Sequence, residues 1–359
     1  MRDDVIDLIS RLVAIDSVNP ALVPGGAGET EIARFVAAWA EENGLAAEWL
    51  EATPGRPSVV VRKREPGGGK TLMLCAHLDT VGVEGMRDPH TPRLAGDRLH
   101  GRGAYDMKSG LASALIACRE APGDVLVAAV ADEEHASLGV QEVLASHTAD
   151  AAIVTEPTER ELIVGHKGFV WIEIEVEGRA AHGSRHEEGI DAIVKAGPIL
   201  TGLGELDAAL AERTHPLLGR GSVHASLIEG GAEMSSYPAR CTIGLERRTL
   251  PGETQQDVEA EIQRLVAGQA THRTLLVREP FAVDPQDPIV LAVAEAAGGP
   301  KLAGAPYWAD AAFIAAAGIP TVMYGASGTG AHAVEEWVSV DDSVAVTETL
   351  IAVARRLSA

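Results

Sequence analysis

Several apolar runs in this chain have the length of a strand, and each is followed by an acid or a histidine. Thr71 to Ala76 runs into His77-Leu78-Asp79, and Asp124 to Ala131 into Asp132-Glu133-Glu134. Asp150 to Thr155 ends at Glu156, and Ile319 to Tyr324 leads through a glycine-rich loop to His332. Runs this uniformly apolar suit strands buried on both faces, and the helical spacing of Lys108 to Arg119, Asp4 to Val13 and Glu29 to Asn43 supplies the covering layers. The expected fold class is α/β, with a mainly parallel sheet. In such sheets ligands gather outside the carboxyl ends of the strands, which is where these polar residues fall.

The middle of the chain obeys a different rule. Ile172, Ile174 and Val176 alternate with Glu173, Glu175 and Glu177, the period of a sheet with one wet face. A helix follows (189–210), then two strands (222–229 and 240–249), a helix (254–267) and a strand (274–279). This β-α-β-β-α-β order is the ferredoxin-like split motif. A lid or dimerisation domain is therefore expected over 169–278, inserted into a discontinuous catalytic domain made of 1–168 and 279–359. With 359 residues, two cores are the natural arrangement. The Gly/Pro stretch from Glu65 to Lys70 reads as a surface hairpin.

Charge narrows the choice of partners. The net charge of -22, from 52 acids against 30 bases, repels phosphate, so neither nucleic acid nor an anionic membrane is an expected partner. No apolar run approaches the ~18 residues of a membrane span. The start, MRDDVIDLIS, carries acids where a signal peptide carries positive charge, so a cytoplasmic protein is expected. Cys75, Cys118 and Cys241 lie in apolar stretches and read as reduced core thiols.

The residues after the strands form a set. Adding Asp106, which the loop GRGAYDMK delivers just before a helix, gives His77, Asp106, Glu134, Glu156 and His332: two imidazoles and three carboxylates. Zinc accepts both donor types at about 2 Å, and a carboxylate can bridge two ions roughly 3.5 to 4 Å apart. Three carboxylates carry about -3, which two divalent ions turn to about +1 and a hydroxide neutralises, so two ions are favoured over one. Adjacent side chains of an extended strand end cannot both face one ion, so Glu134 is assigned to metal and Glu133 to the general base. Asp79 is placed to accept the His77 N–H with its carboxylate and fix the tautomer.

The motifs SVNP, AHLDTV, GRGAYDMKSG, ADEEHASLG, TEPTE, GHKG, AHGS, RRTLPGE and GAHAVEEWVSVDD, in this order along the chain, resemble those of the M20 metallopeptidases. They are most similar to the acetylornithine deacetylase and succinyl-diaminopimelate desuccinylase branch. The resemblance implies that Asp106 bridges two Zn2+ ions, with Glu134 and His332 completing one site and His77 and Glu156 the other; Co2+ or Mn2+ are possible substitutes. It makes Glu133 the base that takes a proton from the attacking water. His182 would reach a neighbouring subunit's site and hold the oxyanion, which implies a homodimer, and Arg248 would hold the substrate carboxylate. Ser235 is a departure, because many relatives carry an asparagine there. Gly328, in the loop from Gly325 to Gly330, is expected to offer a backbone N–H near the substrate.

The implied function is removal of an acetyl or succinyl group from a small amino acid. The alternative is a dipeptidase or carboxypeptidase, because such a metal site does not choose between an acyl amide and a peptide bond. A metal-binding protein without catalysis fits poorly with Glu133 beside a full ligand set. No G-x-S-x-G elbow is present, and the glycines of 325–330 do not match a P-loop.

Overall fold

The computed structural model describes residues 1–63 and 69–358; most of the stretch expected as a hairpin at 65–70 lies outside the described residues. The chain divides into two compact units. One consists of Met1–Val164, Val283–Ala303 and Ala309–Ala359, and the other of Gly165–Ala282 with Gly304–Trp308. In chain order the main strands are β1 (Leu45–Leu50), β2 (Ser58–Lys63), β3 (Leu72–His77), β4 (Val125–Val130), β5 (Ala151–Val154) and β6 (Leu162–His166). They continue with β7 (Gly168–Glu177), β8 (Ser222–Gly230), β9 (Arg240–Thr249), β10 (Thr271–Arg278) and β11 (Thr321–Met323).

In the first unit the sheet order is β1-β2-β4-β3-β5-β11-β6. The central strands β4, β3, β5 and β11 are parallel. The flanking pairs β1/β2, β2/β4 and β11/β6 are antiparallel. Every residue of β3, β4 and β5 is buried, as their unbroken apolar sequences require. Leu72, Leu74 and Ala76 share one core with Val125, Val127 and Ala129 and with the helices Arg2–Val13, Ser109–Glu120 and Val340–Leu357. Their neighbours in sequence point to the opposite face, where helices Leu138–Ser146 and Ala311–Ala316 pack on β4 and β11. The sheet is thus covered on both sides. Its parallel centre follows the sequence expectation; the antiparallel margin does not, because β1 alternates burial weakly and carries Glu48 and Trp49 toward solvent.

The second unit is an antiparallel sheet ordered β8-β9-β7-β10. The connections βαββαβ and this order are those of the ferredoxin-like motif. Val170, Ile172, Ile174 and Val176 of β7 face Cys241, Ile243 and Leu245 of β9 and the helices Ala192–Leu210 and Gln255–Val266. Each Ile or Val so buried contributes about 1.5–3 kcal/mol. The first of these helices starts at Ala192, later than its pattern suggests, because the Asp191 side chain accepts the Val194 N–H and caps it. The second is closed by a reciprocal Thr254–Asp257 capping box. This unit extends beyond 169–278 at both ends and includes 304–308. The His166 ring meets Phe281 edge-on at 4.7 Å and Trp308 at 6.0 Å, a contact between segments far apart in sequence. No helix of the described residues is long and apolar enough to cross a membrane.

Candidate active site

Parallel register sets the site. His77 ends β3 level with Val130 of β4, and Cys75 is level with Val154 of β5, which in turn pairs with Met323 of β11. The residues that follow, 131–137, 155–156 and 324 onward, leave the sheet at one edge beside His77. A hairpin of Gly328–Thr329 with Trp337–Ser339 carries His332 in its connecting segment. Trp337 pairs in turn with His100, just ahead of the 101–108 turn that bears Asp106. Sequence-distant loops are thereby fixed to each other.

Five expected residues converge. The His77 Nε2 lies 3.1 Å from one Asp106 oxygen and 3.8 Å from Glu156. The other Asp106 oxygen lies 3.5 Å from His332 Nε2, which is 3.1 Å from Glu134. Donor atoms of His77, Asp106 and Glu134 all lie within 4.8 Å of one another, and so do those of His77, Glu133 and Glu156. Glu133 and Glu134 therefore turn to different partners. They do so from a turn and not from an extended strand end: Asp132 adopts φ 67°, and the chain bends away immediately after β4.

Asp79 requires a correction. The His77 Nδ1 donates to the backbone carbonyl of Asp79 at 2.9 Å; the carboxylate is 3.8 Å away. A carbonyl only accepts, so Nδ1 carries a proton, and Nε2 is the ring nitrogen that faces the acids. The Asp79 carboxylate instead accepts the Glu133 and Glu134 backbone N–H groups, at 3.1 and 3.2 Å.

Electrostatics describe a cluster short of positive charge. Burial, then the neighbouring Glu156, pushes Glu133 well above the usual carboxylate range. Burial raises Glu134, and burial with the charge of Asp106 pushes Glu156 up to about 8. Burial works against Asp106 as well, but hydrogen bonds from His332 and His77 outweigh it and hold Asp106 low. The same bonds to Asp106 and Glu134 push His332 up to about 10. Glu134 Oε1 is buried with no hydrogen-bond partner among the described residues. Imidazole nitrogens and carboxylates crowded about an unsatisfied oxygen are the donor chemistry of divalent cations, so the residues fit a metal.

Two contributors escaped the sequence reading. Asp310, buried at the start of helix Ala311–Ala316, adds negative charge to Glu133 and Glu156. A lone acid in the stretch Tyr307 to Ile314 was its only signal. Glu336 accepts the N–H groups of Gly103, Tyr105 and Asp106 at 2.9, 2.9 and 3.0 Å and the Arg102 guanidinium at 2.6 Å. Arg102 also donates to the Ala333 carbonyl, tying the Asp106 turn to the loop of His332.

The remaining expected residues have partners of their own. The Gly328 N–H donates to the Glu159 carboxylate at 3.2 Å. A Cβ there would lie 2.4 Å from the Trp337 carbonyl, which explains the glycine. In the second unit His182 is exposed and bridges to Ser236, and Gly183 N–H donates to the Ser235 carbonyl at 2.7 Å. The hydroxyl of Ser235 turns to Glu233, so it makes a local contact where a substrate contact was expected. Arg248 donates to the Pro306 carbonyl and sits 5.4 Å over the Phe169 ring. Its neighbour Arg247 is buried and paired with Glu253 and Glu261.

Comparison with known proteins agrees with the geometry. The family model Peptidase family M20/M25/M40 matches residues 73–356. An N-formyl-4-amino-5-aminomethyl-2-methylpyrimidine deformylase of Bacillus subtilis (strain 168) is 27% identical, over 98% of this chain and 93% of that protein. An acetylornithine deacetylase of Proteus mirabilis (strain HI4320) is 29% identical, over 93% of this chain and 92% of its own. A Bacillus subtilis crystal structure described as a dinuclear metal binding peptidase from M20 family matches with TM-score 0.75 at 18% identity, covering 99% and 98% of the two chains. The chain belongs to peptidase family M20/M25/M40 and is a metal-dependent hydrolase of amide bonds.

Proposed function

We propose that the protein removes an acetyl or succinyl group from the nitrogen of a small amino acid, with two divalent ions, zinc foremost, held by His77, Asp106, Glu134, Glu156 and His332. One observation carries this reading: the Asp106 carboxylate presents one oxygen to His77 and the other to His332, the placement a bridging ligand needs. The likeness to an acetylornithine deacetylase over nearly the whole chain supports the substrate class. Bound there, a pair of divalent cations supplies Lewis acidity toward an acyl oxygen and toward water.

Glu133 takes a proton from the attacking water as its oxygen joins the acyl carbon. When the C–N bond breaks, Glu133 returns that proton to the leaving nitrogen, so acid and amine are released and the residue is restored. His77 stays oriented by its bond to the Asp79 carbonyl, which leaves Nε2 free to bind. We assign Arg248 to the substrate carboxylate and His182, from a neighbouring subunit, to the developing oxyanion. A homodimer is supported by β8, an edge strand that exposes Leu227 and Ile228 at 69% and 51%. The free, buried Cys75, Cys118 and Cys241 suit a reducing, cytoplasmic setting.

The test is a substrate panel on protein stripped of metal and reloaded with zinc, cobalt or manganese. N-acetyl and N-succinyl amino acids, including N-acetylornithine, should be cleaved with a higher kcat/KM than dipeptides or an N-formyl aminopyrimidine. Faster cleavage of dipeptides would replace this reading with the peptidase alternative.

A further inference from the structure

Asn19, in the SVNP segment, takes no part in the cluster described above, yet it is fully buried between two acids. Its Nδ2 donates to Asp79 at 2.8 Å and to Asp132 at 3.0 Å. Its Oδ1 accepts the Ala21 N–H at 2.9 Å, so the side-chain amide has one satisfied orientation, with both hydrogens turned to the carboxylates. The backbone is fixed too: Asn19 N–H donates to the Thr80 carbonyl at 2.9 Å, immediately after Asp79. Asn19, Asp79 and Asp132 are 0%, 1% and 0% exposed, so no solvent replaces a lost bond.

What Asn19 joins is significant. Asp79 accepts the N–H groups of both Glu133 and Glu134, and Asp132 begins the turn that bears them. Behind Asp132, the Arg56 guanidinium donates to its carboxylate at 2.6 Å and to both oxygens of Glu29, at 2.8 and 2.7 Å. Among the described residues the Arg56 guanidinium pairs with Glu29 and Asp132 but not with Asp79, and the ring nitrogens of His135 and His77 come no closer than 3.8 Å to Asp132 and Asp79. A neutral group offering two donors must therefore span Asp132 and Asp79. Aspartate or leucine at position 19 lacks the donors, and glutamine is a methylene too long.

The geometry points to Asn19 as a positioning residue for hydrolysis: its amide locks Asp79 to Asp132, so that the turn directs Glu134 to the group with Asp106 and Glu133 to the group with Glu156. This inference rests on the assignment of Glu133 as base. Groups behind metal and base ligands typically matter by 10–100-fold in activity or metal affinity.

The experiment compares Asn19→Leu, Asn19→Ala and Glu133→Gln in the metal-loaded full chain, with Asn19→Gln as the conservative variant. In Asn19→Leu, kcat should fall about 10- to 100-fold with KM little changed, and Asn19→Gln should recover part of it. Hydrogen exchange of the metal-free protein supplies a readout independent of turnover. The Glu133 and Glu134 amides should exchange faster in Asn19→Leu, while those of β3 and β4 stay protected. If Asn19→Leu does not fold, Asn19→Ala, which removes both donors without adding charge or bulk, bears the same two expectations. Wild-type kcat in folded Asn19→Leu or Asn19→Ala, or deprotection spread evenly over the sheet, overturns the inference while a slow Glu133→Gln leaves the base assignment standing. Glu133→Gln should lose at least ~10²-fold in kcat; wild-type turnover there overturns that assignment and the inference with it.

Discussion

Glu336 shows how one buried carboxylate can organise a reacting centre without touching it. It collects three backbone N–H groups and a guanidinium from the 102–106 turn, across a sequence separation of 230 positions in the case of Asp106. In Glu336→Gln, an amide NH2 would face N–H donors, leaving buried groups unsatisfied. A loss of about 1–3 kcal/mol in unfolding free energy is expected, with weaker metal binding because the Asp106 turn loosens. Denaturant unfolding and metal titration measure both, and unchanged metal affinity would limit Glu336 to a stabilising role. At this scale the sequence was readable wherever chemistry followed directly on an apolar run, as at His77, Glu133, Glu134 and Glu156. It was silent on Glu336, Asn19 and Asp310, whose partners come from elsewhere in the chain. For Asp79 it identified the residue but mistook the atom, because spacing alone does not distinguish a carboxylate from the carbonyl of the same residue.

Elements position the proposed ligands through close approach. Helix Ser109–Glu120 lies so near the end of β5 that a Cβ on Gly110 would meet the Thr155 carbonyl at 2.2 Å, one residue before Glu156. Gly110→Ala should therefore destabilise by about 1–3 kcal/mol and lower kcat/KM by displacing Glu156. A variant with normal stability and activity would show that the helix can retreat freely. The edge strand β8 makes a different prediction. If it pairs with a second copy, Ile228→Lys should shift the protein toward monomer in sedimentation and lower activity, since His182 is then without its partner site. Retention of the dimer would place the interface elsewhere. The parallel core strands were legible because they are apolar throughout; β1 was not, because its half-exposed residues resemble ordinary polar sequence.

For the molecule as a whole, the acids gathered at one sheet edge make the metal-free state sensitive to pH. Glu156 has its folded value raised from 4.5 to about 8, so its cost enters as pH climbs through that interval. His332, raised from 6.5 to about 10, contributes fully below 6.5 and loses that contribution as pH approaches 10. Asp106, held low, contributes fully throughout this range. Folding takes up protons in each changing case, so chelator-treated protein should melt at progressively lower temperature from pH 5 to 9, and saturating divalent cation should flatten the trend. A metal-free melting temperature that rises over this range would contradict the charge balance described for the site.

The strand order has a consequence for biosynthesis. β11 lies between β5 and β6, although the entire ferredoxin-like unit is translated before it. As the polypeptide leaves the ribosome, β5 and β6 must wait with a vacant slot between them, and four of the five proposed ligands wait beside it. The segment that fills the slot leads within a few residues to His332. Closing the sheet thus brings the fifth proposed ligand to the other four in nearly one event.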